Sequence, residues 1–181
     1  MANINLVDPS AASASVKQTL DQIKGAFGVV PNMFRAVANS PAALTSMWGA
    51  FGALGGGTLG ARLGEEIAVA IANANACEYC LAAHTALGRK AGATSHEMAA
   101  AQAGVSADPR TQAALTFALK VVRDRAAVSA DDVATLKAAG FDDEGVVEII
   151  AHVALNLFTN YVNVALDVPV DFPSIALKRA S

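Results

Sequence analysis

The sequence predicts an all-α, single-domain helical bundle in which one helix hairpin carries the reactive side chains. Three observations predict it. No segment alternates apolar and polar residues with period two, and runs of β-branched residues are short. The chain is 54% hydrophobic and 16% charged, and much of that apolar content is alanine, the residue that favours and closely packs helices. Helix start and stop signals also recur from end to end.

Asp8-Pro9 reads as the opening of a first helix running to about Gly25, with Pro9 near the first helical position. The loop Gly28-Val29-Val30-Pro31 leads to a short helix from Asn32 to Asn39, and Ser40-Pro41 caps a third that ends near Leu54. Gly55-Gly56-Gly57 is a connector; no Gly-Lys-Ser/Thr follows, so it is not a phosphate loop. A nearly apolar helix spans Leu63 to about Asn75, and the next carries the cysteines to Lys90, with Gly92 as its stop. Thr94 and Glu97 spell a capping box, as do Ser129 and Asp132. Asp108-Pro109 opens a helix ending near Arg125, and Gly140 ends the one that Ser129 starts. Asp142 or Asp143 caps a long last helix to about Leu166, before a tail marked by Pro169 and Pro173.

At 181 residues the chain can bury a real core, and no repeat or linker divides it, so residues 1–181 read as one domain. Its mean hydropathy of +0.39 is apolar for that size, which points to self-association. No uninterrupted apolar run reaches the roughly 18 residues of a membrane span, and Met1-Ala2-Asn3-Ile4-Asn5 lacks the features of a signal peptide. The expectation is therefore no membrane partner. A net charge of −3 without a basic stripe argues against nucleic acid. One close thiol pair is no secreted disulfide framework and fits a reducing, cytoplasmic compartment.

Cys77 and Cys80 are the only cysteines, and His84 follows Cys80 by four residues. On a helix starting at Cys77 all three fall within roughly 60° on one face. The helix N-terminus favours a thiolate at Cys77. A base one turn away favours Cys80, because an imidazole in contact can also shuttle the proton; the spacing leans to Cys80 as nucleophile. Glu65 lies about 28 Å from His84 on an unbroken helix. If the chain reverses near Asn75-Ala76, the two stand about 15 Å and 12 Å from the turn on facing helices. Glu65 can then orient His84. Glu66 is the alternative acid, but it points about 100° away, so only one of the two can face the partner helix.

The segment Glu65-x11-Cys77-x2-Cys80-x3-His84 resembles the signature of the alkyl hydroperoxidase D-like branch of the carboxymuconolactone decarboxylase superfamily. Asn75 to Leu87 is also similar, as are Gly28-Val29-Val30-Pro31-Asn32, Asn156-x-Phe158-Thr159-Asn160-Tyr161 and Asp171-Phe172-Pro173, which resemble peroxidase-related members. The resemblance centres on residues 63–92 and covers most of the chain. It implies an all-helical fold, assembly as trimers or hexamers, and thiol-dependent reduction of a hydroperoxide substrate. By the resemblance, Cys80 attacks the peroxide, Cys77 resolves the sulfenic acid as a disulfide, and Glu65 and His84 form a proton relay. An external dithiol or protein reductant restores the thiols. The best-known hydroperoxidase has a histidine between its cysteines where this chain has Tyr79. Decarboxylase members generally lack the cysteine pair.

No cofactor and no metal are assigned. Other readings are a general thiol–disulfide oxidoreductase, a decarboxylase-like enzyme, and a zinc-stabilised module using Cys77, Cys80 and His84 with His96 or His152. Tyr79 reads as a packing aromatic at the site, Trp48 as core or interface, and His96 as a solvated first-turn residue. Glu148, His152, Asn156 and Asn160 recur every four residues as a polar stripe on the last helix. The stripe is either a satisfied buried network or a surface facing the dithiol.

Overall fold

The computed structural model describes residues 2–178, and within them the chain forms nine α-helices and no strand: α1 (Ala14–Phe27), α2 (Asn32–Val37), α3 (Pro41–Gly55), α4 (Ala61–Ala74), α5 (Glu78–Lys90), α6 (Ser95–Gln102), α7 (Pro109–Arg123), α8 (Ala130–Ala138) and α9 (Asp143–Ala165). Local chemistry sets most starts. The Ser40, Asp108 and Asp142 side chains each accept a backbone N–H from the first turn of α3, α7 and α9. Thr94 and Ser129 make complete capping boxes with Glu97 and Asp132 on α6 and α8. A cap of this kind is worth about 1 kcal/mol.

The first helix differs from its expected start. Asp8 Oδ1 accepts both the backbone N–H and the hydroxyl of Ser10, each at 2.8 Å, which closes a turn at Asp8 instead of opening a helix. Helix α1 begins after Ser13 and continues past Gly25 to Gly28, whose φ of +81° supplies the left-handed stop.

Helix α4 is the inner post of the bundle. Glu66, Ile67, Ala68, Val69, Ala70, Ile71 and Ala72 are all buried, so it is covered on nearly every side, by α5, α6, α7 and α9. Ile67, Val69, Ile71 and Leu81 are fully shielded from solvent, and each such burial is worth about 1.5–3 kcal/mol. Helix α9 runs across α4 and α5 and contributes nine buried residues. It alone among the described helices has the length and mean apolarity of a membrane span, although no single apolar run in the sequence does. Its buried face carries Asn156, Thr159, Asn160 and Asn163, which point at the α4–α5 hairpin rather than at solvent.

The hairpin turn is tight. Ala76 adopts φ +52°, a left-handed conformation, and Cys77 N–H donates back to the Ala72 carbonyl at 2.9 Å. Asn75 Nδ2 donates to Asn160 Oδ1 at 3.0 Å, tying the turn to α9. The helices beside it approach closely at Gly88, where an added Cβ would lie 2.4 Å from Met98 Cε and 3.3 Å from Glu65 Cβ. A side chain there would push α5 away from the acid that α4 presents.

Candidate active site

The reversal at Asn75–Ala76 brings Glu65 and His84 together, with Glu65 Oε2 at 2.7 Å from His84 Nδ1. His84 is buried. Burial opposes its charging, but the adjacent carboxylate attracts and hydrogen-bonds the proton strongly enough to raise the imidazole above its ordinary pKa. The carboxylate therefore favours the protonated imidazole. Glu66 faces elsewhere. It is buried against Arg62, whose Nε lies 3.3 Å from its carboxylate and whose other guanidinium nitrogen reaches Glu97 at 2.7 Å. It belongs to the α4–α6 packing.

The two sulfurs sit in contrasting surroundings. Cys77 is the N-cap of α5, and its Sγ accepts the backbone N–H of Cys80 at 3.3 Å. Its thiol is nonetheless pushed far up, first because it donates to Cys80 and then because it is buried. For Cys80, burial opposes ionisation, but hydrogen bonding from the Cys77 thiol and from Asn163, Asn160 and Thr159 outweighs it and lowers the pKa. Asn163 Nδ2 is 3.2 Å from Cys80 Sγ. Asn160 Nδ2 makes no regular hydrogen bond of its own, and so is free to turn toward a thiolate.

This corrects one expectation. The i, i+4 spacing predicts an imidazole in contact with the Cys80 thiol, but His84 spends its Nδ1 on Glu65, and no hydrogen bond joins it to either sulfur among the described residues. The anion-favouring donors at Cys80 are the Cys77 thiol and three side chains of α9. Thr159 and Asn163 were missed in the sequence. The polar stripe was the available signal: extended by three residues from Asn160, a regular helical step, it reaches Asn163.

The stripe itself is divided. Glu148 accepts backbone N–H groups of Thr58 and Leu59 at 2.8 and 3.1 Å and so anchors the loop after α3. Asn160 and Asn163 face the dithiol. Between them His152 and Asn156 line a chamber of about 150 Å³ that also touches Glu65 and His84, and Asn156 Oδ1 has no partner there. The stripe is thus neither fully satisfied nor wholly turned to the cysteines. His96 is exposed in the first turn of α6. No three His, Cys, Asp or Glu side chains among the described residues are gathered as metal ligands, so Cys77, Cys80 and His84 do not converge with His96 or His152 on one point.

On its outer side Cys80 faces a small apolar cavity of about 30 Å³, walled by Phe34, Phe51, Tyr79, Phe172 and the other edge of His84. That is room for roughly one or two waters. Tyr79 builds the wall. Its hydroxyl accepts Met33 N–H at 3.2 Å, its ring meets Phe172 edge-on at 5.8 Å, and burial keeps its phenol protonated. Two distant sequence segments close the same wall, where Asp171 Oδ2 accepts Asn32 N–H at 2.7 Å and the Pro169 carbonyl accepts Asn32 Nδ2 at 3.1 Å. Trp48 joins Phe27 and Phe34 in an aromatic cluster behind it.

A model of the carboxymuconolactone decarboxylase family matches residues 40–124, the stretch holding the hairpin. The fold is similar to that of an uncharacterized peroxidase-related protein with an alkylhydroperoxidase core from Ralstonia eutropha JMP134. The TM-score is 0.83 at 27% identity, over 94% of this chain and 92% of that one. It is also similar to an uncharacterized peroxidase-related protein from Silicibacter sp. TM1040, with TM-score 0.81 and 24% identity over 97% and 92%. A third similar fold is the debrominase Bmp8, in a complex with 2,3,4-tribromopyrrole, with TM-score 0.80 and 20% identity over 94% of each chain. No curated protein is similar enough to count as a match.

Proposed function

We propose, for a chain that belongs to the carboxymuconolactone decarboxylase superfamily on its alkyl hydroperoxidase D-like side, that it reduces hydroperoxides through a Cys77/Cys80 dithiol–disulfide cycle. The observation that carries the proposal is the Cys80 sulfur, a buried thiol drawn toward its anion by the Cys77 thiol and α9 and facing a small apolar cavity beside His84, whose charged form Glu65 favours.

Each step follows from that placement. The Cys80 thiolate attacks one peroxide oxygen, the O–O bond breaks, and the second oxygen leaves as an alcohol that takes a proton from His84. Glu65 holds that imidazole in position and favours its charged form. Cys80 is now a sulfenic acid. The Cys77 thiol, already donating toward Cys80, condenses with it, so that an S–S bond forms and water leaves. The small, apolar cavity limits further oxidation by a second peroxide. An external dithiol then returns two electrons.

Self-association of the chain is supported by an exposed apolar row on α9, with Val147, Ile150, Tyr161 and Val164 all open to solvent; trimers or hexamers are the assemblies proposed. A reducing cytoplasmic setting suits two free cysteines.

The test mixes fully reduced protein with one equivalent of a small organic hydroperoxide and follows free thiols while mapping any disulfide by mass spectrometry. The proposal expects both thiols to disappear into a Cys77–Cys80 bond. Thiols that survive the peroxide would remove it.

A further inference from the structure

The cavity over Cys80 and the chamber beside Glu65 are neighbours. The first is apolar and about 30 Å³; the second is about 150 Å³ and holds His152 and Asn156. Phe51 and His84 line both, so these two side chains form the wall that the spaces share. His84 is fixed in that wall by its 2.7 Å contact with Glu65. Phe51, a half-buried side chain of α3, is held by packing alone, with its ring 5.8 Å from that of Phe34. The other aromatic walls differ, since Phe34, Tyr79 and Phe172 do not line the chamber.

A cavity of 30 Å³ sets a limit at one carbon. For the Cys80 thiolate to attack a peroxide oxygen, the O–O group must lie in that cavity. The carbon bearing it is a single bond away. Wherever the rest of the tail runs, the branches on that carbon share the cavity with the O–O group. Hydrogen peroxide has no such carbon, and a primary hydroperoxide brings one methylene. Cumene hydroperoxide brings a carbon carrying two methyl groups and a phenyl ring. Close-packed walls resist that added volume.

We propose that Phe51 is the specificity-determining residue of the Cys80 cavity. It restricts the protein to hydrogen peroxide and primary alkyl hydroperoxides, and it excludes those fully substituted at the carbon bearing the peroxide. The proposal rests on the dithiol cycle above and names its substrate class. The bonds made and broken are those of that cycle's first step for every substrate; only the group on the leaving oxygen changes. Shortening Phe51 opens the 30 Å³ cavity onto the 150 Å³ chamber. There Leu54, Ala68 and Leu155 offer apolar wall to the added branches. Asn156 Oδ1, an unpaired acceptor in a residue 4% exposed, offers one point that water can satisfy.

The test mixes reduced wild-type protein, Phe51→Leu and Phe51→Ala with hydrogen peroxide, ethyl hydroperoxide or cumene hydroperoxide and times the loss of the Cys80 thiol. The readout is the rate with cumene hydroperoxide divided by the rate with ethyl hydroperoxide. Intrinsic reactivity cancels when that ratio is compared between proteins, and merely structural damage lowers both rates together. The ratio is expected to rise by roughly tenfold in Phe51→Ala and by less in Phe51→Leu. Phe51→Leu, the milder truncation, carries the test if Phe51→Ala does not fold. A ratio unchanged across the folded proteins would overturn the proposal. So would a wild-type protein that reacts with cumene hydroperoxide as fast as with ethyl hydroperoxide. Wild-type thiols that survive all three peroxides, yet close into a disulfide with diamide, would instead remove the peroxide reading itself.

Discussion

Cys77 and Cys80 stand one turn apart at the start of the same helix, and each is at most 2% exposed. As acids they differ in sign: Cys77 is pushed up and Cys80 is drawn down. Proximity to the helix N-terminus would favour the reverse order. The N-cap sulfur has one backbone donor, while the sulfur one turn in has side-chain donors supplied by α9. Directed donors, the Cys77 thiol first and the α9 side chains after it, set the direction of the Cys80 shift. The thiol that stays protonated is the one able to donate to its neighbour, which suits a resolving cysteine.

The comparison breaks most completely if the sulfurs are exchanged in role. Cys80→Ser should lower steady-state peroxide turnover by on the order of 10³-fold or more. Cys77→Ser should still consume one equivalent of peroxide in a single turnover and then stop. Equal loss of the first turnover in both variants would erase the distinction.

Next in size is the relay. Glu65→Gln removes the carboxylate that favours the charged form of His84, so turnover should fall by about 10²-fold, and the alkaline limb of the pH–rate profile should move to lower pH. An unchanged profile would assign Glu65 a merely structural part. The same pair sets a pH-dependent stability. Because the folded His84 pKa lies above its unfolded value, the stabilisation is fully present below the unfolded pKa. It is lost as pH rises through the folded one. Denaturant melts across that window should show the slope in the wild-type protein and not in Glu65→Gln.

A smaller effect tests the α9 donors. Asn163→Ala removes the 3.2 Å contact to Cys80, destabilises the anion and should raise the Cys80 pKa, leaving less thiolate near neutral pH. Ultraviolet thiolate absorbance against pH reads it, and an unmoved midpoint would return the credit to the helix end. Smallest is Gly88→Ala, where the added methyl meets Met98 and crowds Glu65. A loss of about 1–3 kcal/mol is expected, read as a lower Tm, with a modest drop in turnover.

How much of this could be read in the sequence depends on the range of the interaction. Thr94–Glu97 and Ser129–Asp132 were legible because a capping box is written within four residues. The Glu65–His84 pair was legible because one turn position and the helical rise fix which residues face each other across a hairpin. Local spacing misled at Asp8, where an Asx turn with Ser10 competes with helix initiation. It misled again at His84 and Cys80, where a carboxylate across the hairpin is a stronger partner for the imidazole than a thiol one turn away. The donors at Cys80 were not legible, since 83 residues separate Asn163 from the sulfur and only the crossing of α9 over the hairpin joins them.

The most direct measurement traps the sulfenic acid in the two single-cysteine variants. Each reduced protein is mixed with one equivalent of a small hydroperoxide in the presence of dimedone, and the adduct is located by mass spectrometry. The account predicts rapid labelling of Cys80 in Cys77→Ser and little labelling of Cys77 in Cys80→Ser. Rapid labelling of Cys77, with Cys80 unreactive, would contradict it.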